Sequence, residues 1–359
     1  MSEIVSKKID DYFSERFAEK SSFTEYIASI SPLINEACGM SCECLLKKRT
    51  GYFFENLYSP YTTFVENAGK RSRPAIALLG SAMFGEKPSL ALSPALAIEH
   101  FHSAALIHDD IADDAKTRRG EVCLHLKTGV GLAINCGDFG LNYMNTLILQ
   151  DARLSQEVKI RLLSEINKMA NRTIEGQALD IGWAHLQNYD LMQDDYFAMA
   201  ESKTAHYSVT TPLVCGAICS EAADEDIESL RSFGLKVGLA FQIQDDILNL
   251  RGLTNDTGKG ECDDLTEGKR TLIVIHALNN ASQVDRARLI EVLASRDTTQ
   301  EDLNDALSII ESSSSIDYAM SYANELIEKA VAQLCENIES SHASDICVSM
   351  AKWSLIRKK

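Results

Sequence analysis

Residues 92–111 read LSPALAIEHFHSAALIHDDI, and residues 234–250 read GLKVGLAFQIQDDILNL. Each stretch is apolar on nearly every face of a helix, and each carries a carboxylate pair toward its C-terminal end. A helix that is apolar all round is expected inside a protein. Buried carboxylates are unfavourable unless they are paired or bind a metal. The two stretches therefore predict core helices that bring acidic groups to a functional site.

The remaining sequence agrees with an all-α fold. Only 6 Pro and 19 Gly occur in 359 residues, little of the turn punctuation that strands require. Residues 158–179 place Ile160, Leu163, Ile166, Met169 and Ile174 near one stripe of a helix. Loops are expected around Gly120 and over 252–263, with a Ser-rich turn at 311–316. No repeat or composition break divides the chain, which reads as one large helical bundle. Residues 1–45 read as a helical extension and 46–359 as the main domain.

The formal net charge is −17, which weighs against nucleic-acid or anionic-membrane binding. Against that background the local clusters at 70–73, at Arg118 and Arg119, and at Lys269 and Arg270 stand out. The N-terminus has no apolar run of the signal-peptide type, and no stretch of about 18 apolar residues predicts membrane insertion. The expected location is cytoplasmic. Cys38, Cys42 and Cys44 are the densest of 10 cysteines, but they lack a second ligand pair and read as ordinary thiols.

The first acidic segment, HDDIADDAKTRRG at 108–120, sets Asp109 and Asp113 four residues apart. That spacing puts them on one helix face, about 5–6 Å apart at Cβ. Two like charges so placed suit a shared divalent cation, and hard oxygen ligands suit Mg²⁺. His102 lies two turns earlier on the same face. Arg118 and Arg119 follow, and an arginine fork matches phosphate oxygens. In the second segment Gln242, Asp245 and Asn249 share a face, followed by Lys259 and by Asp264–Thr271, which includes Lys269. A diphosphate leaves readily only when its developing charge is neutralised, which metal ions and cationic side chains accomplish. An apolar tunnel beside such a site would shelter a carbocation from water.

These segments, in this order, resemble the trans-type polyprenyl diphosphate synthases: GKRSRP at 69–74, HDDIADDAKTRRG at 108–120, GQALD at 176–180, Lys203-Thr204, FQIQDDILN at 241–249 and GKGECDDLTEGKRTL at 258–272. The resemblance covers roughly residues 60–290. It implies the all-α isoprenoid synthase fold around a central cavity, and usually a homodimer. It implies that Lys70, Arg73, His102 and Arg119 hold the diphosphate of isopentenyl diphosphate. Asp109 and Asp113 would bind two Mg²⁺ ions bridging to an allylic diphosphate, and Asp245 a third. Arg118, Lys203, Lys259 and Lys269 would contact that diphosphate, with Thr204 and Gln242 lining the reacting end. The implied reaction ionises the allylic substrate, adds the cation to the isopentenyl double bond and loses a proton.

Two positions set this chain apart within the resemblance. Asn249 stands where the family usually has Asp, which keeps an acceptor oxygen and removes a charge. Ala104 and Ala105 precede Asp109 where large aromatics would stop growth at fifteen carbons. Phe101, about 12 Å along the helix from Asp109, is then the expected floor, with Tyr143 or Met144. That places the product at twenty carbons or somewhat more. Two other functions share parts of this pattern. A class I terpene cyclase would not need Lys70, Arg73 and Arg119; a non-catalytic prenyl-binding subunit would fit Asn249 and the N-terminal extension.

Overall fold

The computed structural model describes residues 3–47, 50–67, 69–85, 87–250, 262–295 and 297–356. Two N-terminal helices, α1 (Glu3–Glu15) and α2 (Phe23–Leu46), lead through a π-helical turn (Phe54–Tyr58) into α3 (Ser59–Glu66) and α4 (Ser72–Ala82). Next come α5 (Leu92–Ala112), a two-residue hairpin β1 (Thr117–Arg118) and β2 (Glu121–Val122), then α6 (Leu124–Thr128), α7 (Val130–Leu149) and α8 (Gln156–His185). After α9 (Gln193–Ala200) the chain runs directly into a π-helical stretch, Glu201–Thr210, then α10 (Thr211–Cys219) and α11 (Asp224–Leu250). The short α12 (Asp263–Thr266) precedes α13 (Leu272–Asn280), α14 (Gln283–Ala294), α15 (Gln300–Ser312), α16 (Ser315–Asn337) and α17 (His342–Ile356).

Side-chain caps mark several starts. Ser22, Ser155 and Thr271 each accept the N–H of the residue three further on, satisfying donors a helix leaves open. The expected loop around Gly120 is the antiparallel hairpin, in which Arg118 pairs with Glu121. The serine-rich turn at 311–316 is the joint between α15 and α16.

Helix α5 is the expected core helix, buried from Leu92 to Phe101 and on to Asp110 on most positions. Among the described residues one helix is long and apolar enough to cross a membrane by length and composition, Pro88–Ala112, and 78% of that window is buried inside the protein. It packs against α4 and α7, and α11 packs against α10, α16 and the π-helical stretch. The stripe expected on α8 is rotated. Ile166 and Met169 are buried, but Ile160 is 68% exposed and Ile174 57% exposed. Val158, Leu162, Ile166, Met169, Thr173 and Gly176 face inward instead. Successive i+3 and i+4 steps connect that set, whereas Ile160 and Ile174 sit on the outer face.

Helices α1 and α2 share the main hydrophobic core with the bundle. Tyr26 donates to the Ala75 carbonyl at 2.8 Å, Phe23 packs on Trp353 at 5.5 Å and Phe17 on His342 at 4.8 Å. All ten cysteines are free thiols; Cys38 and Cys42 are buried and Cys44 is exposed.

Helices α4 and α10 approach closely at Gly216. A Cβ on Gly216 would sit 2.6 Å from the Ser81 nitrogen of α4, a contact with backbone that cannot swing aside. Gly216→Ala is therefore expected to lower the thermal unfolding midpoint, at roughly the 1–3 kcal/mol of overpacking. An unchanged midpoint would show that α4 and α10 separate freely.

Candidate active site

The C-terminal ends of α5 and α11 open onto a cleft of about 290 Å³. Its walls include five carboxylates, Asp109, Asp180, Asp245, Asp246 and Asp264, together with Arg118, Lys203, Lys269, Gln242 and Asn249. An apolar pocket of about 370 Å³ adjoins it and shares Asp109, Lys203 and Lys269. Phe101, Ala105, Leu106, Leu141 and Tyr207 line this second space.

Within each acidic pair the two residues have separate surroundings. Asp110 is buried; it accepts from Arg118 Nε at 2.7 Å, and the same guanidinium ion-pairs with it at 2.5 Å. Asp109 lies at the cleft, where Gln177 Nε2 donates to it at 3.2 Å and Arg118 stands 3.5 Å away. Asp113 caps α5, its N–H bonded to the Asp109 carbonyl at 2.9 Å. On α11, Asp245 is half-buried while Asp246 is buried, accepting from Tyr196 at 2.8 Å and from Gln242 at 2.7 Å. Burial, and after it the neighbouring Asp264, push the Asp246 carboxyl well upward against those two hydrogen bonds.

Cations answer the acids. Lys203 pairs with Asp180, and Lys269 with Glu267 and, at 3.3 Å, with Asp264. Burial favours the neutral amine in both lysines, yet the carboxylates around them outweigh it and raise their pKa. Both stay charged. Gly176 permits the placement of Lys203, because a Cβ there would come within 2.7 Å of the Lys203 Cα.

A third cluster surrounds His102. The Arg73 guanidinium lies 4.5 Å over the Tyr207 ring and donates to Tyr207 Oη and Ser208 Oγ, both at 3.0 Å. His102 also stacks near that ring, with centroids 5.9 Å apart, and its Nε2 lies 3.4 Å from Arg73. Burial, then the charges of Arg73, Arg119 and Arg118, hold His102 well below the usual imidazole range. It is neutral, which leaves positive charge here to the arginines. Arg119 donates to the Asn67 carbonyl at 2.8 Å, and the Lys70 ammonium lies 6.0 Å from the Trp353 ring.

The cluster at 70–73 divides by depth. Arg71 is buried with φ of 54°, an uncommon conformation for a side chain with a Cβ. Each of its three nitrogens is engaged: they bond Glu99 at 2.5 Å, Asn35 at 2.8 Å and the Val65 carbonyl at 2.8 Å. On either side of this anchor, Lys70 is exposed and Arg73 reaches the Tyr207 and Ser208 side chains.

Several expectations change in detail. Ala105 lines the apolar pocket, but Ala104 turns to α7, where its methyl lies 2.9 Å from where a Cβ on Gly140 would be. One residue rotates a helix by about 100°, so adjacent alanines cannot share a wall. Tyr143 stacks on Phe139 at 5.5 Å and meets His100 at 5.0 Å, while Met144 is buried in the main core. Leu141 is the α7 residue that lines the pocket. Asn249 is buried, and its side-chain oxygen accepts the Asp264 N–H at 3.2 Å. Lys259 lies outside the described residues. Tyr196 and Tyr207 were not anticipated. Tyr207 follows Lys203 by four residues, a spacing that sets side chains on a common helix face.

Among the described residues no three carboxylate, imidazole or thiol groups converge into a closed cation cage. Mg²⁺ does not need one. It is commonly held by one or two carboxylates, with substrate phosphate oxygens and water completing its shell. The cleft-facing Asp109 and Asp245, with Asp113 at the α5 cap, offer oxygen donors of that type.

The family described as polyprenyl synthetase matches residues 54–310. A short chain isoprenyl diphosphate synthase of Methanothermobacter thermautotrophicus is 34% identical over 304 residues, 85% of this chain and 91% of that protein. The crystal structure of a geranylgeranyl pyrophosphate synthetase from Pyrococcus horikoshii superposes with a TM-score of 0.83 at 31% identity, over 93% of this chain and 99% of that one. A geranylgeranyl pyrophosphate synthase from Corynebacterium glutamicum, complexed with isoprenyl diphosphate and magnesium, gives 0.79 at 27% identity over 97% and 99%.

The Arg71 anchor yields a direct test. Arg71→Met leaves Glu99 charged and buried without its partner, a loss of about 3–5 kcal/mol for a broken buried pair. Thermal unfolding should shift downward accordingly, and Lys70 and Arg73 should lose their placement. A variant as stable as the wild type would remove Arg71 from this role.

Proposed function

The chain belongs to the polyprenyl synthetase family, and on that footing we propose that it condenses isopentenyl diphosphate head to tail with an allylic diphosphate, giving an all-trans product of twenty or somewhat more carbons. One observation carries the reading: an acid-lined cleft and an apolar pocket meet at Asp109, Lys203 and Lys269. Diphosphate and hydrocarbon ends of one substrate would occupy the two spaces.

Asp109, Asp113 and Asp245 would hold Mg²⁺, three ions in this reading. Bound there, the metal would neutralise charge on the departing diphosphate. Lys203 and Lys269 sit between acids and would bond to the allylic diphosphate oxygens, as would Arg118. Arg73, Arg119 and Lys70, around neutral His102, would take the diphosphate of the isopentenyl substrate. Thr204 lines the apolar pocket and donates to the Gln242 carbonyl at 2.7 Å. The two oxygens would face the developing allylic cation, while Ala105, Leu106 and Leu141 exclude water. Phe101, buried and packed edge-on to Tyr207 at 5.9 Å, would end the hydrocarbon channel.

The proposal extends to setting. Ile160, Ile174 and Ile181 on α8, with Ile134 and Leu149 on α7, leave apolar surface exposed. A second copy of the chain would cover such surface in a symmetric dimer. Ten free thiols, eight of them buried, fit a reducing, cytoplasmic compartment.

Incubation with Mg²⁺, labelled isopentenyl diphosphate and each of the five-, ten- and fifteen-carbon allylic diphosphates should give elongated diphosphates, lost on chelation. A hydrocarbon from one allylic substrate alone would overturn the reading. Phe101→Ala should lengthen the products, and an unchanged distribution would refute the assignment of the floor. Sedimentation should show a dimer, and Ile160→Asp should shift it toward monomer.

A further inference from the structure

Thr204 and Gln242 stand where the apolar pocket meets the acidic cleft, but neither fixes its own polarity. A hydroxyl can donate or accept. A glutamine amide has nearly the same shape when turned over, which exchanges a carbonyl oxygen for two N–H donors. Turned one way, Gln242 offers lone pairs to a neighbouring cation. Turned the other way, it offers the positive edge of the amide and opposes the same charge.

The groups behind Gln242 settle the choice. Gln242 Nε2 donates to Asp246 Oδ1 at 2.7 Å, and Tyr196 Oη donates to Asp246 Oδ2 at 2.8 Å. Tyr196 is fully buried and Asp246 is 4% exposed. With its NH₂ committed to Asp246, Gln242 turns its carbonyl to Thr204, which donates to it at 2.7 Å. The protons of Tyr196, Gln242 and Thr204 in this chain all point toward Asp246. Thr204 lines the apolar pocket and Gln242 the acidic cleft, so this hydrogen bond joins the two spaces.

We propose that Tyr196 and Asp246 are positioning residues: together they lock the Gln242 amide so that Gln242 Oε1 and Thr204 Oγ1 present lone pairs to the carbon that becomes cationic. The inference rests on the elongation reaction proposed above. Both residues border the acidic cleft, but each is buried and is bonded to the frame behind Gln242. Both act through Gln242, whose dipole is oriented before the reaction begins and needs no reorganisation when charge develops. Asp246 differs in this from its neighbour Asp245, which faces the cleft.

Steady-state kinetics and metal binding on Asp246→Asn, Tyr196→Phe, Gln242→Met and the Gln242→Met/Asp246→Asn double variant test it. An asparagine can donate to Gln242 and let the amide turn over, so kcat should fall on the order of 100-fold, as for loss of one preorganised electrostatic contact. Tyr196→Phe removes one of the two hydrogen bonds that hold the Asp246 carboxyl, and its kcat should fall about tenfold. The KM for both substrates, and Mn²⁺ binding followed by electron paramagnetic resonance, should stay within about twofold. In the Gln242→Met background Asp246→Asn should have no further effect on kcat, since a residue acting through Gln242 is silent without it. A further loss in that background, weakened Mn²⁺ binding, or unchanged kcat in the single variants would overturn the proposal. If Asp246→Asn does not fold, the near-isosteric Tyr196→Phe alone decides by its kcat. Wild-type protein that elongates no substrate would instead overturn the reaction proposed above.

Discussion

Two carboxylate-bearing helix ends open onto one cleft, and the rest of the site answers that repulsion. The C-terminus of a helix already carries partial negative charge, so acids at the ends of α5 and α11 sit where the backbone disfavours them. Five carboxylates line the cleft. Lys203, Lys269 and Arg118 offset part of this charge through their pairs with Asp180, Asp264, Glu267 and Asp110. A site so arranged attracts divalent cations and can then accept an anion as charged as diphosphate.

The chain repeatedly solves the problem of fixing such a site by dividing neighbours. Asp109 and Asp245 face the cleft, while Asp110 and Asp246 are buried and hold Arg118 and Gln242. Buried Arg71 stands between exposed Lys70 and Arg73, which reaches Tyr207 and Ser208. Lys269 reaches the acids, while Arg270 turns inward to the Asn188 carbonyl at 2.7 Å and lies 4.3 Å over the Tyr189 ring. On α5 and α11 adjacent residues diverge by about 100°, so a doubled acid supplies one group to the site and one to the frame that holds it; at 70–71 and 269–270 the chain outside the helices separates the neighbours. The buried member is fixed by partners that leave it little freedom, and this limits movement of the exposed one.

Much of this was legible in the residues themselves. The helical class follows from periodicity and sparse Gly and Pro, and the acid positions follow from their four-residue spacing. Other features were not legible. Ile160 and Ile174 fit a helical stripe as well as Val158 and Leu162 do, because several stripes on α8 contain apolar residues. Only the packing of the neighbouring helices selects the inner one. Ala104 and Ala105 were equivalent as letters, and the approach of α7 at Gly140 separates them. Tyr196 lies 50 residues from Asp246, so no local pattern joins them.

The sequence by itself determined that the chain is helical, that two buried helices end in acids, and which residues carry charge there. These properties are local: they depend on residue type and on spacings of three or four positions. The tertiary structure alone decided which member of each charged pair faces the cleft, which alanine lines the apolar pocket, and which way the Gln242 amide points. Those outcomes depend on atoms brought together from distant parts of the chain, at distances of about 3 Å where a small rotation replaces an acceptor with a donor.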